Sequence, residues 1–483
     1  MNKESVQTNG GEDRGVSSAM RINNLSYRVP PQTNVVNKRS LIKHYFTKNE
    51  YSAGEPAVCV LSSGDQYISG RNSYLVFKVR ATSDSSGASP ATVPASFGTG
   101  SALNVINRVT FHTESGVEVE RQEDANLKAR DWDYWRHPRD MLDDYGSVIG
   151  YTPSYETAEI KANTDLAAAS SVAFPLDVAT VTVGGEDIVD GVKIMRKGKP
   201  RDLADWANIN DGKVASYCIP LSHLLGVFDQ EQMLPGLGFC GGARLEFSLE
   251  NAQTALKWAS SIGTNTYKVY DISIMLDSFQ LSDAVLSTLN RQSASTALEV
   301  SYWAYDRQQD TLAGARVGNF DAKRAVSRAS LAWAKTRLTD NTQQDVKDCF
   351  ASEKFQVVSQ SWQLAGVFLP NNPLTARGDA KYLDVSEQFY NALYVLGKNA
   401  GVNLRDFKGT EPDGTTDAED GKGIQTVLLD RNLDGGQSGY PLSGSRILQL
   451  RTEYADQQNR TIHMFVKYMK VCKVFLDRAI VQE

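Results

Sequence analysis

Residues 430–435 read Asp430-Arg431-Asn432-Leu433-Asp434-Gly435. Oxygen donors at the first, third and fifth positions, then a glycine for a sharp turn, are how a calcium loop begins. Such a loop closes on a carboxylate at its twelfth position, where this chain has Pro441. No helix flanks it convincingly. A solvated Asx-Gly turn is therefore favoured over a calcium site at Asp430, Asn432 and Asp434. The five histidines, His44, His112, His137, His223 and His463, show no ligand spacing along the chain. His112 is expected to face outward on a strand, and His223 to lie off the apolar stripe of its helix. No G-x-S-x-G, P-loop or H-E-x-x-H motif is present, and Gly236-Leu237-Gly238-Phe239-Cys240-Gly241 is a lone G-x-G. The adjacent acids Asp143-Asp144 and Glu419-Asp420 suit solvated loops better than a glycosidase pair. Neither catalysis nor a cofactor nor a metal is expected.

Charge and aromatic clusters come next. One basic group comprises Lys38, Arg39, Lys43, His44 and Lys48; another comprises Lys193, Arg196, Lys197, Lys199 and Arg201. Either could meet phosphate non-specifically through counterion release. Neither interleaves rings as a single-strand binder does, and a solvated charged face explains both. Trp132, Tyr134 and Trp135 form an aromatic cluster around Asp131 and Asp133. It suits a protein interface, where Trp and Tyr contribute disproportionately. It suits equally a plug between a helix and its own sheet.

These residues need a scaffold. A chain of 483 residues is too long for one ordinary core and implies two or three domains. With 41% hydrophobic and 22% charged residues the composition is globular. A net charge of −6 argues against a surface built wholly for nucleic acid, though not against a local basic patch. The five scattered cysteines, with no C-x-x-C pair, make a poor disulfide or zinc framework and point to a reducing compartment. No membrane span is expected. Met1 to Ala19 lacks the apolar core of a signal peptide, so the chain is expected to stay inside a cell, its N-terminal stretch serving as an arm.

Alternation with period two dominates. Leu75, Phe77 and Val79 point one way, and Lys78 and Arg80 the other. Val105, Val109 and Phe111 share a face, and Glu114-Ser115-Gly116 turns into a second strand. Leu245, Phe247 and Leu249 alternate, as do Tyr270, Ile272, Ile274 and Leu276. The second half repeats the pattern in Leu298 to Tyr305, Leu331 to Leu338, Ile447 to Thr452 and Ile462 to Leu476. Helices are few. One is expected behind an Asp124 cap and ahead of Pro138. A second starts at Pro220 with Leu221, Leu224, Leu225 and Phe228 as its stripe. A third spans Asp384 to Leu396, with Asp384 and Glu387 spaced as a capping box and Gly397 as its stop. Strands with isolated helices in long connections indicate β-sandwiches with decorated loops.

The pattern also recurs. Gly242-Ala243-Arg244-Leu245 and Gly444-Ser445-Arg446-Ile447 each open a strand, and Leu276-Asp277 and Leu476-Asp477 each close one, about two hundred positions apart. A duplicated unit follows, with its seam near Leu281 to Thr296.

Four stretches then carry a likeness to a known family: Gly70-Arg71-Asn72-Ser73-Tyr74-Leu75-Val76-Phe77, the hairpin from Asn107 to Glu120, Leu234-Pro235-Gly236 with Gly241 to Phe247 and Leu276-Asp277, and the run Gly444 to Glu483. In these the chain resembles the double jelly-roll major capsid proteins of small double-stranded DNA viruses, especially virophages and Polinton-like viruses. The resemblance implies an all-β fold of two tandem eight-stranded antiparallel jelly-roll sandwiches with short helices in the connecting loops. It divides the chain into an arm (1–50), a first jelly roll with loop insertions (51–282), a linker (283–297) and a second jelly roll (298–483). It implies a virion subunit whose homotrimers are pseudo-hexagonal capsomers tiling an icosahedral shell. Its partners would be itself, a penton or minor capsid protein and, weakly, packaged DNA. Lys38, Arg39, Lys43 and Lys48 would then face the interior, and Trp132, Tyr134 and Trp135 are the interface candidates. The alternative is a two-domain carbohydrate-binding protein of lectin type; a polysaccharide-active enzyme comes last.

Overall fold

The computed structural model describes residues 35–62, 64–83, 101–137, 215–258, 265–338, 355–378, 383–397, 401–409, 421–430, 439–444, 446–475 and 478–482, with short pieces at 95–96, 148–149, 180–183 and 186–189. Two sets of strands carry the architecture. The first set is β1 (Val36–Tyr45), β2 (Pro56–Val60), β3 (Tyr67–Ser83), β4 (Ile106–His112), β5 (Glu118–Gln122), β6 (Ala215–Pro220), β7 (Arg244–Leu249) and β8 (Asn265–Leu281). One of its sheets runs β1-β8-β3-β6 and the other β2-β7-β4-β5, with every pair antiparallel. The second set is β9 (Leu298–Leu312), β10 (Val317–Ala322), β11 (Val326–Leu338), β12 (Val357–Leu364), β13 (Val367–Thr375), β14 (Gln425–Leu428), β15 (Leu448–Tyr454) and β16 (Arg460–Val474). Its sheets run β9-β16-β11-β14 and β10-β15-β12-β13. Adding eight to each strand number converts the first wiring into the second. The chain crosses between facing sheets in the Greek-key manner of a jelly roll, so the expected double jelly roll is the observed fold. Arg244 opens β7 and Arg446 precedes β15, two strands that hold the same place in their units.

Alternation builds the cores. Leu75, Phe77 and Val79 of β3 are at most 1% exposed, and Val109, Phe111, Leu245 and Phe247 of the facing sheet are fully buried. Phe111 lies 5.4 Å from Phe228 and 5.5 Å from Phe239 between ring centroids. The β4–β5 hairpin turns at Gly116, whose φ is +80° and whose N–H donates to Thr113 O at 2.9 Å. That backbone region is the reason for glycine there.

Several expectations change. Tyr270 does not share the face of Ile272, Ile274 and Leu276. The register of β8 against β3 shifts between Tyr270 and Ser273, where Asp271 has a φ of 50°. This bulge inverts the alternation, so the buried set is Tyr267, Val269, Ile272, Ile274 and Leu276. Within the stretch assigned to the arm, β1 pairs with β8 along its length and forms an edge of the first sandwich. Its exposed Lys38, Arg39 and Lys43 suit an edge strand. Residues 1–34 lie outside the described ones. The linker contains helix α2 (Asp283–Ser295). Its Val285, Leu286 and Leu289 pack on Tyr67, Phe279 and Leu281. Its polar end stays helical while Ser293 and Ser295 hydroxyls donate back to carbonyls of Asn290 and Arg291, each at 3.0 Å. Helix α3 (Ser386–Leu396) ends at Gly397 as expected. The capping box does not close: Asp384 Oδ1 accepts from Ser386 N–H at 3.1 Å, and Glu387 accepts instead from Thr375 N–H at 3.2 Å.

Candidate functional site

The two sandwiches meet around a single helix. This helix, α1, spans Ala125–Arg136. Ten of its twelve residues are buried, including Asn126, Lys128, Arg130, Asp131 and Asp133. An enclosed helix must be apolar all round or find a partner for each polar group. This one largely does the second: Asn126, Lys128 and Asp133 find partners within the first sandwich, and Asp131 finds its partner in the other.

The aromatic residues come first. Trp132 stacks on Trp333 of β11 with centroids 5.7 Å apart and meets Tyr305 of β9 edge-on at 5.5 Å. Trp333 passes the stack to Phe465 of β16 at 5.2 Å. Lys467 of β16 sits 5.0 Å from the Trp132 ring and 4.8 Å from the Trp303 ring, and burial lowers its pKa to about 8. Trp135 meets Phe389 of α3 at 6.3 Å and Phe407 at 6.0 Å. The Tyr134 carbonyl accepts Gly401 N–H at 3.0 Å, and Lys422 lies 4.2 Å from its ring. The interface candidates Trp132, Tyr134 and Trp135 thus face the second sandwich of their own chain.

Charges cross the same seam. Asp131 Oδ1 lies 2.5 Å from Lys335 Nζ of β11, with side chains 3% and 2% exposed. Asp124 stands at the expected cap position with a φ of 46° but makes no cap hydrogen bond. Its carboxylate is taken by Arg307 of β9 and by His463 of β16, whose Nδ1 is 3.3 Å away. Burial pushes the Asp124 pKa up, but His463 and Arg307 outweigh it and hold the carboxyl below its usual range. Burial likewise lowers the pKa of His463. Lys128 Nζ donates to Leu224 O at 3.1 Å and lies 4.7 Å from the Tyr305 ring; burial pulls its pKa to about 8. Arg136 grips Asp229 with two bonds of 2.6 and 3.0 Å.

The backbone closes the seam. The stretch after Pro220 is not one helix: a turn at Leu221–Leu224 is followed by a tighter one at Gly226–Phe228. Buried Glu120 draws the second turn in, accepting Gly226 N–H at 2.9 Å and Val227 N–H at 2.8 Å. Burial raises the Glu120 pKa despite these donors. Gly226 thereby abuts the carbonyl of Trp303 in β9 so closely that a Cβ would overlap it. Tyr302 OH donates to Val119 O at 2.7 Å alongside. Chemically this is a lock made of stacked rings, a paired buried charge and backbone contact.

The other sequence-level candidates lie elsewhere. Lys38, Arg39, Lys43 and Lys48 are exposed on and just beyond β1, and Arg39 is held by Asp277 through bonds of 2.9 and 2.8 Å. Asp430 is half-buried at the end of the chain's described stretch there; Asn432 and Asp434 lie outside the described residues. So do Asp143-Asp144, Glu419-Asp420 and the basic cluster from Lys193 to Arg201.

No family model matches the sequence, and no curated protein matches it significantly. Solved structures do match. The Faustovirus major capsid protein is similar with a TM-score of 0.58 at 10% identity, covering 95% of this chain and 93% of that one. A chain from the Sputnik virophage structure gives 0.58 at 12% identity, covering 96% and 92%. A chain of the PBCV-1 virus capsid gives 0.53 at 11% identity, covering 95% and 99%. The likeness is one of fold, and its coverage takes in both sandwiches.

Proposed function

We propose that this double jelly-roll chain is a viral major capsid protein, a structural subunit of the virion with no catalytic role. One observation carries the reading: the match to viral capsid structures takes in 95–96% of this chain and 92–99% of theirs. A shared single sandwich would say little, since that architecture serves many functions. A likeness that takes in both sandwiches of one chain is a narrower match. The carbohydrate-binding alternative gains nothing from these comparisons.

The physical logic follows from the seam. Two sandwiches locked side by side form a rigid block with two similar lobes. Three such blocks around a threefold axis give six lobes, a near-hexagonal tile that can pave a closed shell. Each contact between chains in an obligate trimer of this kind would bury more than about 2,000 Å². Penton or minor capsid proteins would complete the shell. Lys38, Lys43 and Lys48 would offer positive charge to packaged DNA, whereas Arg39 is already engaged by Asp277.

Sedimentation velocity with negative-stain microscopy of the purified chain tests the reading. A trimer showing six lobes is expected. A clean monomer at micromolar concentration, seen as two-lobed particles, would contradict it.

A further inference from the structure

At the end of α1, three ligand-type side chains converge beside the seam. Asp133 and His137 are four residues apart, and His223 arrives from the Leu221–Leu224 turn. Asp133 Oδ2 lies 3.0 Å from His223 Nδ1, and Asp133 Oδ1 lies 3.8 Å from His137 Nε2. One ligand atom from each residue lies within 4.8 Å of the others. The two imidazole rings stack with centroids 5.6 Å apart. The side chains of Asp133, His223 and His137 are 6%, 8% and 16% exposed.

Two features go beyond an ordinary buried ion pair. Asp133 Oδ1 has no hydrogen-bond partner among the described residues, although its carboxylate is almost wholly buried. Such an oxygen is costly to leave without a donor or a cation. The spacing also fits a small metal ion. Zinc bound tetrahedrally at about 2.0–2.1 Å holds its ligand atoms about 3.3 Å apart. Each imidazole stands within about 1 Å of that separation from one or other oxygen of Asp133, His223 at 3.0 Å from Oδ2 and His137 at 3.8 Å from Oδ1.

We propose that Asp133, His137 and His223 form a binding site for a zinc-class divalent transition metal, with a fourth position open to water. Two imidazoles and one carboxylate select this class over calcium or magnesium, which require mostly oxygen ligands. The adjacent guanidinium of Arg136 is matched by Asp229, which limits its repulsion of a cation. A bound metal would clamp the end of α1 to the turn that precedes Gly226, and so stiffen the seam from the first sandwich's side.

The full chain, free of any polyhistidine tag and stripped with chelator, is titrated with zinc chloride by calorimetry and then melted with and without zinc. One zinc per chain and a raised melting temperature are expected. Cobalt(II) in place of zinc is expected to give the strong visible absorption of a tetrahedral site. His137→Gln and His223→Gln should each weaken zinc binding by at least about tenfold. His137 is the less buried of the two histidines, so His137→Gln should leave the metal-free melting temperature nearly unchanged. Lost binding in that variant then reports a lost ligand, not a lost fold. Absence of stoichiometric zinc, or unchanged affinity in both variants, would overturn the site.

Discussion

Lys335 and Asp131 place opposite charges 2.5 Å apart, almost wholly out of water, on two different sandwiches. Removing each charge from solvent costs several kcal/mol, and only the partner offsets it. The pair is therefore more damaging to break than to replace. Lys335→Met is expected to destabilise the fold by about 3–5 kcal/mol, leaving Asp131 buried beside an apolar chain. Adding Asp131→Leu should recover most of that loss. Urea midpoints of the two variants beside the parent check this, and a single substitution with no effect would show that the pair does not hold the seam. Lys128 and Lys467 use a different device. Burial disfavours both charges, and each rests near aromatic faces that favour a cation.

The elements around the seam are set by close approach. Gly226 has an ordinary backbone conformation, so its glycine is a matter of space: a Cβ would overlap the Trp303 carbonyl. Gly226→Ala should cost about 1–3 kcal/mol through overpacking. Hydrogen exchange is expected to quicken in β9 around Trp303 and to stay slow in β7; equal exchange in both strands as in the parent would contradict the contact. The sequence made the strands legible because one face of each is buried, which forces period two. It did not make the bulge at Asp271 legible, since nothing local demands a φ of 50° there. The charge on β1 hid a strand because an edge tolerates Lys38, Arg39 and Lys43. Helix α1 was legible as a helix but not as a wedge. The buried partners of Asp131 and Asp133 lie far along the chain, where no local pattern marks them: Lys335 is 204 positions from Asp131 and His223 is 90 from Asp133. A faint signal existed in β11, where Lys335 falls on the same side as Trp333, and in α1, where Asp131 adjoins Trp132.

For the whole molecule, the seam joins two units that have separate sheets but a continuous buried core. Domains with small interfaces melt separately; these share a helix, an ion pair and a stack of rings. Scanning calorimetry of the full chain should show one cooperative transition, and two resolved peaks would mean that the sandwiches are only loosely coupled. The wiring has a further consequence, for synthesis. In each unit the first strand pairs with the last: Val36 lies opposite Leu281, and Leu298 opposite Val474. Neither sandwich can close on the ribosome until its final strand has emerged, and such long-range pairings form slowly. Helix α1 belongs to the earlier unit, yet Trp333, Phe389 and Phe465, which its tryptophans contact directly or through the stack, are translated much later. For that interval the helix can rest only on its own sandwich, and its tryptophans lack their later partners. Exposure of those rings is expected to be greatest midway through translation and to end when β16 arrives.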